Sequence, residues 1–375
     1  MADAPCPDAL WPPRPPPPVR RDLWPRLRTA CFSSTASTLA TLALLALAAW
    51  AAPGLWRWGV AEAVWRPDAD ACQAARGIGA CWGVIAEKGR LILFGRYPFD
   101  QQWRAAAATA VLIGLLGLSG LRACWRAWLP LAWLLGLGAG ALLMRGGAFG
   151  LPLVETDRWG GLPLTLLLTV LSVASAFPLA LAVALGRRSA LPLVRALCAT
   201  YVELVRGVPL VSVLFMASFL FPLFMPAGLQ IDVLLRVLAG MTLFAAAYVA
   251  EVIRGGLQAV PRGQIEAAAA LGLGAWRTQL RIVLPQALAA VVPGLVNHVI
   301  ALFKDTSLVT IVSLYELTGA MSLALNSDSL WRPFKIEAYL FIAAIYFAGC
   351  TAASRYGAWI ERRLQRAAPT TDPAA

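Results

Sequence analysis

Lysine is nearly absent. Only Lys88, Lys304 and Lys335 occur, and none follows a glycine, so the chain lacks a GxxxxGK[ST] phosphate loop whose lysine and backbone amides would hold a nucleotide. ATP hydrolysis is therefore expected on another polypeptide. His298 is the sole histidine and the seven cysteines are scattered, which excludes the clustered ligand set of a zinc site. Nothing has the pattern of a catalytic triad or of a flavin or nicotinamide fingerprint, so neither catalytic chemistry nor a cofactor or metal is expected on this chain. Charge is also scarce, 14% of residues against about a quarter in ordinary soluble domains. Residues 1–30 have no apolar core and carry PPRPPPP at 12–18, which argues against a secretory signal peptide and for a disordered cytoplasmic tail.

What is abundant is apolar sequence, 59% of the chain, and its distribution reads as an all-α integral membrane protein. Eight runs approach the roughly 18 residues needed to cross a hydrocarbon core of about 30 Å: 35–56, 105–121, 128–144, 162–185, 204–225, 234–253, 287–303 and 337–358. The second and third are short, and polar residues interrupt 287–325. The net charge of +12 does not indicate nucleic acid, because the arginines gather at the ends of apolar runs, where lipid headgroups and the positive-inside rule place them. Arg20, Arg21, Arg26 and Arg28 precede the first run, Arg122 and Arg126 separate the second from the third, and Arg187 and Arg188 follow the fourth. Arg254, Arg262, Arg277 and Arg281 fall between the sixth and seventh, and Arg362, Arg363 and Arg366 in the tail. An even span number with both termini cytoplasmic fits these clusters. The first external loop, about 57–104, fits less well, since it too holds basic residues, offset in part by Glu62, Asp68, Asp70, Glu87 and Asp100. Cys72 and Cys81 lie together in that loop, where an oxidising compartment permits either a disulfide or free thiols.

Glu266 to Pro285, EAAAALGLGAWRTQLRIVLP, is the most informative stretch. Strong helix formers from Glu266 to Ala270 are broken by Gly272 and Gly274, and Ala275 to Leu284 can wind a second amphipathic helix before Pro285 starts the return to the membrane. Two short helices hinged at glycine make a knob that can seat in a partner's cleft, with Glu266 near the helix start favouring the positive end of its dipole. The bland alternative is an alanine-rich surface helix. Glu266, Ala267 and Ala268, with Gly272, Ile282, Leu284 and Pro285 at their spacings, resemble the cytoplasmic coupling loop of an ABC importer's membrane subunit. YVELVRGVPL at 201–210, AYVAEVIRGGLQAVPRGQIEAA at 247–268, LPQAL at 284–288 and FKDTSLV at 303–309 are similar to polar amino-acid permeases of the histidine-permease type. ACWGVIAEK at 80–88, FGRYPFDQQW at 94–103 and SRYGAWIERRL at 354–364 resemble the larger permease of general L-amino acid importers, including its three extra N-terminal spans.

The resemblance implies a type I permease core formed by the last five spans, about 151–360, with a coupling loop at 256–286, three N-terminal spans at 31–150 and a tail at 361–375. It implies as partners a second homologous permease, a pair of ABC ATPase subunits holding ATP and Mg, and a periplasmic amino-acid-binding protein. Opines or polyamines as cargo, or an ion-coupled secondary carrier, are the alternatives. A carrier of that kind usually shows several intramembrane acids, whereas apart from Asp305 the spans read as nearly acid-free.

Glu203 and Arg206, three apart, read either as an intrahelical ion pair or as groups that place their helix end against the loop, with Gly207 and Pro209 permitting a bend. Glu251 and Arg254, followed by Gly255, repeat that spacing on the other flank. Lys304 and Asp305 follow an apolar run, and ionisable groups there are expensive enough to mark function. They can supply the cation and anion a zwitterion needs, with Asn297, Thr306 and Ser307 as hydrogen-bonding groups, or they can pair with each other and fix packing. His298 reads as a packed polar side chain.

Overall fold

The computed structural model describes residues 23–226, 228 and 230–367; the proline-rich N-terminal stretch and the end of the C-terminal tail lie outside the described residues. Two compact units are present: 1–63 with 77–80, and 64–76 with 81–375.

In the first unit, helix α1 (Leu23–Cys31) leads to α2 (Thr35–Trp56). Ser34 caps α2 through a reciprocal box, its hydroxyl accepting from the Ser37 N–H and the Ser37 hydroxyl accepting from the Ser34 N–H, both at 3.1 Å. No described side chain of α2 is buried, as fits a helix whose solvent is lipid. A π-helical turn, Arg57–Ala61, ends it.

The second unit begins with a small helical module. Helices α3 (Ala69–Ala74) and α4 (Gly83–Phe94) are joined by a disulfide between Cys72 and Cys81, Cα–Cα 5.4 Å. The stretch read as a long external loop is thus largely folded. Isolated six- and twelve-residue helices are too short to hold their shape in water, and their stability comes from burial of Cys72, Cys81, Val84 and Ile92 against later helices. Helix α5 (Gln102–Gly120) and the 17-residue α6 (Leu129–Arg145) follow as an antiparallel pair. Arg104, fully buried, donates to the Leu143 carbonyl at 2.7 Å and the Pro152 carbonyl at 3.0 Å, fastening α5 to α6 and the loop beyond it.

The rest is a bundle of α7 (Gly161–Gly186), α8 (Pro192–Gly207), α9 (Leu210–Phe215), α10 (Val233–Ala259), the short α11 (Arg262–Ala270) and α12 (Ala275–Thr278), α13 (Leu284–Asp305), α14 (Leu317–Asn326) and α15 (Lys335–Ala367). Helix α10 is its axis. Ala245, Ala246 and Ala250 are buried, and small side chains let helix backbones approach closely where lipid gives no hydrophobic drive to associate.

Six helices among the described residues are long and apolar enough to cross a membrane: Thr35–Ala61, Phe99–Gly120, Gly161–Gly186, Val233–Ala259, Ala275–Val312 and Lys335–Leu364. The eight runs read from sequence therefore need two corrections. Residues 204–225 are not one straight span, because α8 and the helix after it meet at 104°, the break falling where Pro209 cannot donate to the helix ladder. Residues 128–144 form the short α6. Near-continuous apolar composition cannot separate a straight span from a broken one.

Helix α14 and the loop after it receive the α3–α4 module. Lys88 pairs with Asp328 at 2.8 Å, the Gln73 side-chain amide donates to the Leu330 carbonyl at 2.6 Å, and the Cys81 N–H donates to the Glu337 carboxylate at 2.9 Å. Nearby, three backbone segments touch without side chains between them. A Cβ on Gly95 would stand 2.7 Å from Gly160 Cα, one on Gly160 2.6 Å from the Tyr315 carbonyl oxygen, and one on Gly161 2.1 Å from the Leu93 carbonyl oxygen. Gly95 and Gly161 also have φ of +60° and +62°, so glycine is required twice over.

Candidate coupling site and membrane pathway

Between α10 and α13 the chain folds into the hinged knob. Pro261, with φ −59° and ψ 138°, is the N-cap of α11, where a residue without an N–H leaves no donor unpaired. Helix α11 therefore starts one turn earlier than the alanines suggest, and Glu266 is its fifth residue rather than a first-turn residue. The helix dipole falls off within the first turn, so Glu266 is an exposed surface charge more than a dipole partner. Ala267 is exposed and Ala268 buried. Gly272, at φ +75°, closes α11 in the left-handed conformation, with its N–H on the Ala269 carbonyl and the Leu273 N–H on the Ala268 carbonyl.

Beyond Gly274 the backbone does not break again. Helix α12 passes through a π-helical turn, Gln279–Val283, directly into α13. Pro285 thus marks no new turn toward the membrane. Its missing N–H and its ring are absorbed by the wider π spacing just before it, leaving Ile282 and Leu284 half-buried inside one long helix. The loop proper is shorter than 256–286, since α10 runs to Ala259.

The knob exposes large apolar side chains: Leu271 80%, Trp276 68% and Leu280 41%. Sequence reasoning missed these. The available signal was apolar residues flanking the two glycines, in a segment too short to bury them. Exposed apolar groups of this kind, rimmed by Glu266 and Arg277, are typical of a docking surface.

At the base of the knob the charges pair differently from the spacing rule. Glu203 and Arg206 make no ion pair with each other among the described residues. Exposed Glu203 instead lies 3.8 Å from Arg187 at the end of α7, and the Arg206 guanidinium lies 5.4 Å from the centre of the Tyr248 ring. A three-residue offset leaves both side chains free to take tertiary partners. Glu251 does pair with Arg254, whose Nε is 3.0 Å from Oε2, and it also accepts from Arg187 at 2.6 Å. Arg187, which sequence reasoning passed over as a headgroup-facing arginine, thus clamps α7 to α10. Arg188 adds a bond to the Leu257 carbonyl at 2.8 Å. Gly207 and Gly255 both border open space, while Gly256, not singled out from sequence, faces α13 with no room for a Cβ.

Tyr248 stacks on His298 of α13, ring centres 5.9 Å apart. His298 borders an apolar cavity of about 60 Å³ between α7, α10 and α13, lined also by Ala176, Ala245 and Leu295. Its Nε2 has no hydrogen-bond partner among the described residues. Along α13, Gln286, Asn297 and Lys304 recur at helical spacing and are all exposed, which gives this span one polar stripe. Asp305 is half-buried and makes no ion pair with Lys304 among the described residues, Thr306 is buried with its hydroxyl on the Phe303 carbonyl at 2.7 Å, and Ser307 is half-buried. Asn297 and Lys304 therefore share a face that Asp305, Thr306 and Ser307 do not.

The most enclosed acid is another omission. Glu316 has no exposed surface and caps α14, accepting from the N–H groups of Thr318 and Gly319 at 2.9 Å each, from Thr310 at 3.2 Å and from Tyr346 at 2.9 Å. Burial pushes its carboxyl above the usual glutamate range, against the pull of those hydrogen bonds. Glu316 lies between two spans, and so does not bear on the reading that the spans are nearly acid-free; Glu337, also buried, stands in the first turn of the last span.

Lipid-facing helices around a small core, one polar stripe and an apolar-tipped knob define a membrane permease. The family model for binding-protein-dependent transport system inner membrane components matches residues 176–366, and the chain belongs to that family. It is similar to the inner membrane amino-acid ABC transporter permease protein YhdY of Escherichia coli K12, 44% identical over 358 residues, 92% of this chain and 93% of that one. It is also similar to the glutamate/glutamine/aspartate/asparagine transport system permease protein BztC of Rhodobacter capsulatus, 37% identical over 382 residues, 84% of this chain and 86% of that one. A solved amino acid ABC transporter with histidines aligns with 53% of this chain and 90% of its own at 32% identity and a TM-score of 0.48. The chain is a multi-pass inner-membrane transport subunit rather than an enzyme, and its family works with ATPase and substrate-binding components.

Proposed function

We propose that this chain is a permease subunit of an importer for L-amino acids, paired with a second homologous permease, driven by an ABC ATPase dimer that holds ATP and Mg, and fed by a periplasmic amino-acid-binding protein. The single observation that carries the coupling role is the knob: exposed Glu266 and Leu271 on and at the end of α11, and exposed Trp276 on α12, which continues without a loop into a membrane span. In this reading Glu266, Ala267, Ala268, Gly272, Ile282, Leu284 and Pro285 form the contact with the ATPase. Glu251 and Arg254, together with Glu203, Arg206, Gly207 and Gly255, belong to the base that supports it. The amino-acid cargo is supported by the names of the two long relatives.

The stripe of α13 is the proposed pathway wall. Polar groups at Asn297 and Lys304 are too expensive to face lipid, so this side faces water or the partner permease, while Asp305, Thr306 and Ser307 hold the end of the helix behind it. The knob lies in the cytoplasm and both termini share that side, as the arginine clusters favour. The test is uptake of labelled L-amino acids into proteoliposomes holding this chain with its co-purifying subunits and a binding protein. Uptake should stop when the ATPase is omitted, and Glu266→Lys should abolish both uptake and substrate-stimulated ATP hydrolysis while the chain stays folded. Uptake that survives without ATP and collapses with an ion gradient would refute the reading.

A further inference from the structure

The α5–α6 turn and the last turns of α15 build a cluster that the transport reading does not use. The Tyr356 hydroxyl and the Trp125 indole N–H both donate to the Ser119 carbonyl, at 3.0 and 2.8 Å, and the Trp133 indole N–H donates to the Ser119 hydroxyl at 2.9 Å. Trp359 packs edge-on against Trp125 at 6.1 Å and stacks on Tyr356 at 5.8 Å, and Arg363 lies over its ring at 4.3 Å. The aromatic donors are thus engaged within the protein. Arg126 follows Trp125 in the chain, and Arg355 and Arg362 stand four residues before and three after Trp359 on α15, all three exposed and none in an ion pair among the described residues. Glu361, the acid in this stretch, already has an interaction of its own.

The position fits a headgroup. Helix α6 starts at Leu129, next to the cluster, and has 17 residues, about 26 Å at about 1.5 Å per residue, which is shorter than a hydrocarbon core of about 30 Å. A short span is accommodated by local thinning and by interfacial anchors, and fixed tryptophans with exposed arginines are anchors of that kind. Three exposed cations at one span end need an anion. We propose that Arg126, Arg355 and Arg362, on the platform of Trp125 and Trp359, form a binding site for the phosphate headgroup of an anionic phospholipid of the cytoplasmic leaflet.

Native mass spectrometry of the detergent-purified complex, titrated with phosphatidylglycerol and phosphatidylcholine in parallel, tests this. The wild type should retain phosphatidylglycerol preferentially. Each Arg→Gln change at 126, 355 or 362 should weaken retention by about 5-fold, and the triple variant should lose the preference. The triple Arg→Lys variant should keep it, as should an Arg76→Gln/Arg332→Gln control, which removes exposed cations elsewhere. Equal retention of both lipids by the wild type overturns the proposal. So does a triple Gln variant that keeps phosphatidylglycerol, and one that keeps the lipid while releasing the ATPase would make this surface a protein seat instead. If the triple Gln variant fails to fold, the single variants and the wild-type titration decide the same question.

Discussion

Gly255 and Gly256 are neighbours in α10 with opposite surroundings, and they give the sharpest test of how the knob is anchored. A Cβ on Gly255 meets nothing within 4 Å, whereas one on Gly256 would stand 2.5 Å from the Ala287 carbonyl oxygen and 2.5 Å from Val291 Cγ1. Ordinary contact begins about 1 Å farther out, so α13 must withdraw by about that much or α10 must bend. Overpacking of this kind costs about 1–3 kcal/mol. Both substitutions to alanine gain about 1 kcal/mol of helix propensity, and that gain cancels when the two variants are compared. The expected difference is therefore about 1–3 kcal/mol, or roughly 5- to 150-fold in the folded to unfolded ratio, with Gly256→Ala the less stable. Thermal unfolding of the purified complex reads the stability. ATP-dependent uptake reads the function, which should fall in Gly256→Ala because the contact lies where α10 and α13 leave the knob. Equal stability and equal uptake in the two variants would refute the packing argument.

Further outcomes are expected at three sites. Glu316→Ala strands the buried Gly319 N–H and the part-buried Thr318 N–H and should destabilise the chain by about 2–4 kcal/mol, measured by thermal unfolding. Because burial raises the Glu316 pKa in the fold, its contribution is full below the ordinary glutamate range and is lost as pH rises through the elevated value, so Glu316→Gln should flatten stability against pH over that window. Glu251→Gln leaves Arg187 and Arg254 without their shared carboxylate and, for a site that keeps 23% of its side chain exposed, should cost about 1–2 kcal/mol, with Arg187→Gln milder by the same assay. Alkylation of unfolded, unreduced protein should leave Cys72 and Cys81 unlabelled in a mass spectrum, and reduction should lower stability by about 2.5 kcal/mol for a loop this short.

Much of the membrane architecture is legible in the sequence because run length alone reports a span, and the knob is legible because Gly272 and Gly274 interrupt helix formers. The break at Val208 and Pro209 is half legible: the residues that permit it are visible, but its 104° angle depends on packing. Glu316 was missed although Glu-Leu-Thr-Gly before an apolar run is an acid at a helix start, because one acid after a span looks like any loop charge. The choice between Gly255 and Gly256 is not in the sequence at all, since only α13 distinguishes them. Glu203 and Arg206 show the limit of a local rule: of the two readings open for them, the ion pair is not formed, and Arg187 and Tyr248, distant in the chain, are their partners instead.

The uninterrupted passage from α12 into α13 has a mechanical meaning. Ala275–Val312 spans 38 residues, roughly 55–60 Å at about 1.5 Å per residue, and its π-helical turn lies next to the knob. In the proposed coupling, such a rod acts as a lever whose short arm is the knob. A tilt of about 10° imposed on its first turn displaces the far end by roughly 10 Å, so a seating change of a few ångströms at Trp276 is geared up into a movement as wide as a helix, delivered at the end that carries Lys304.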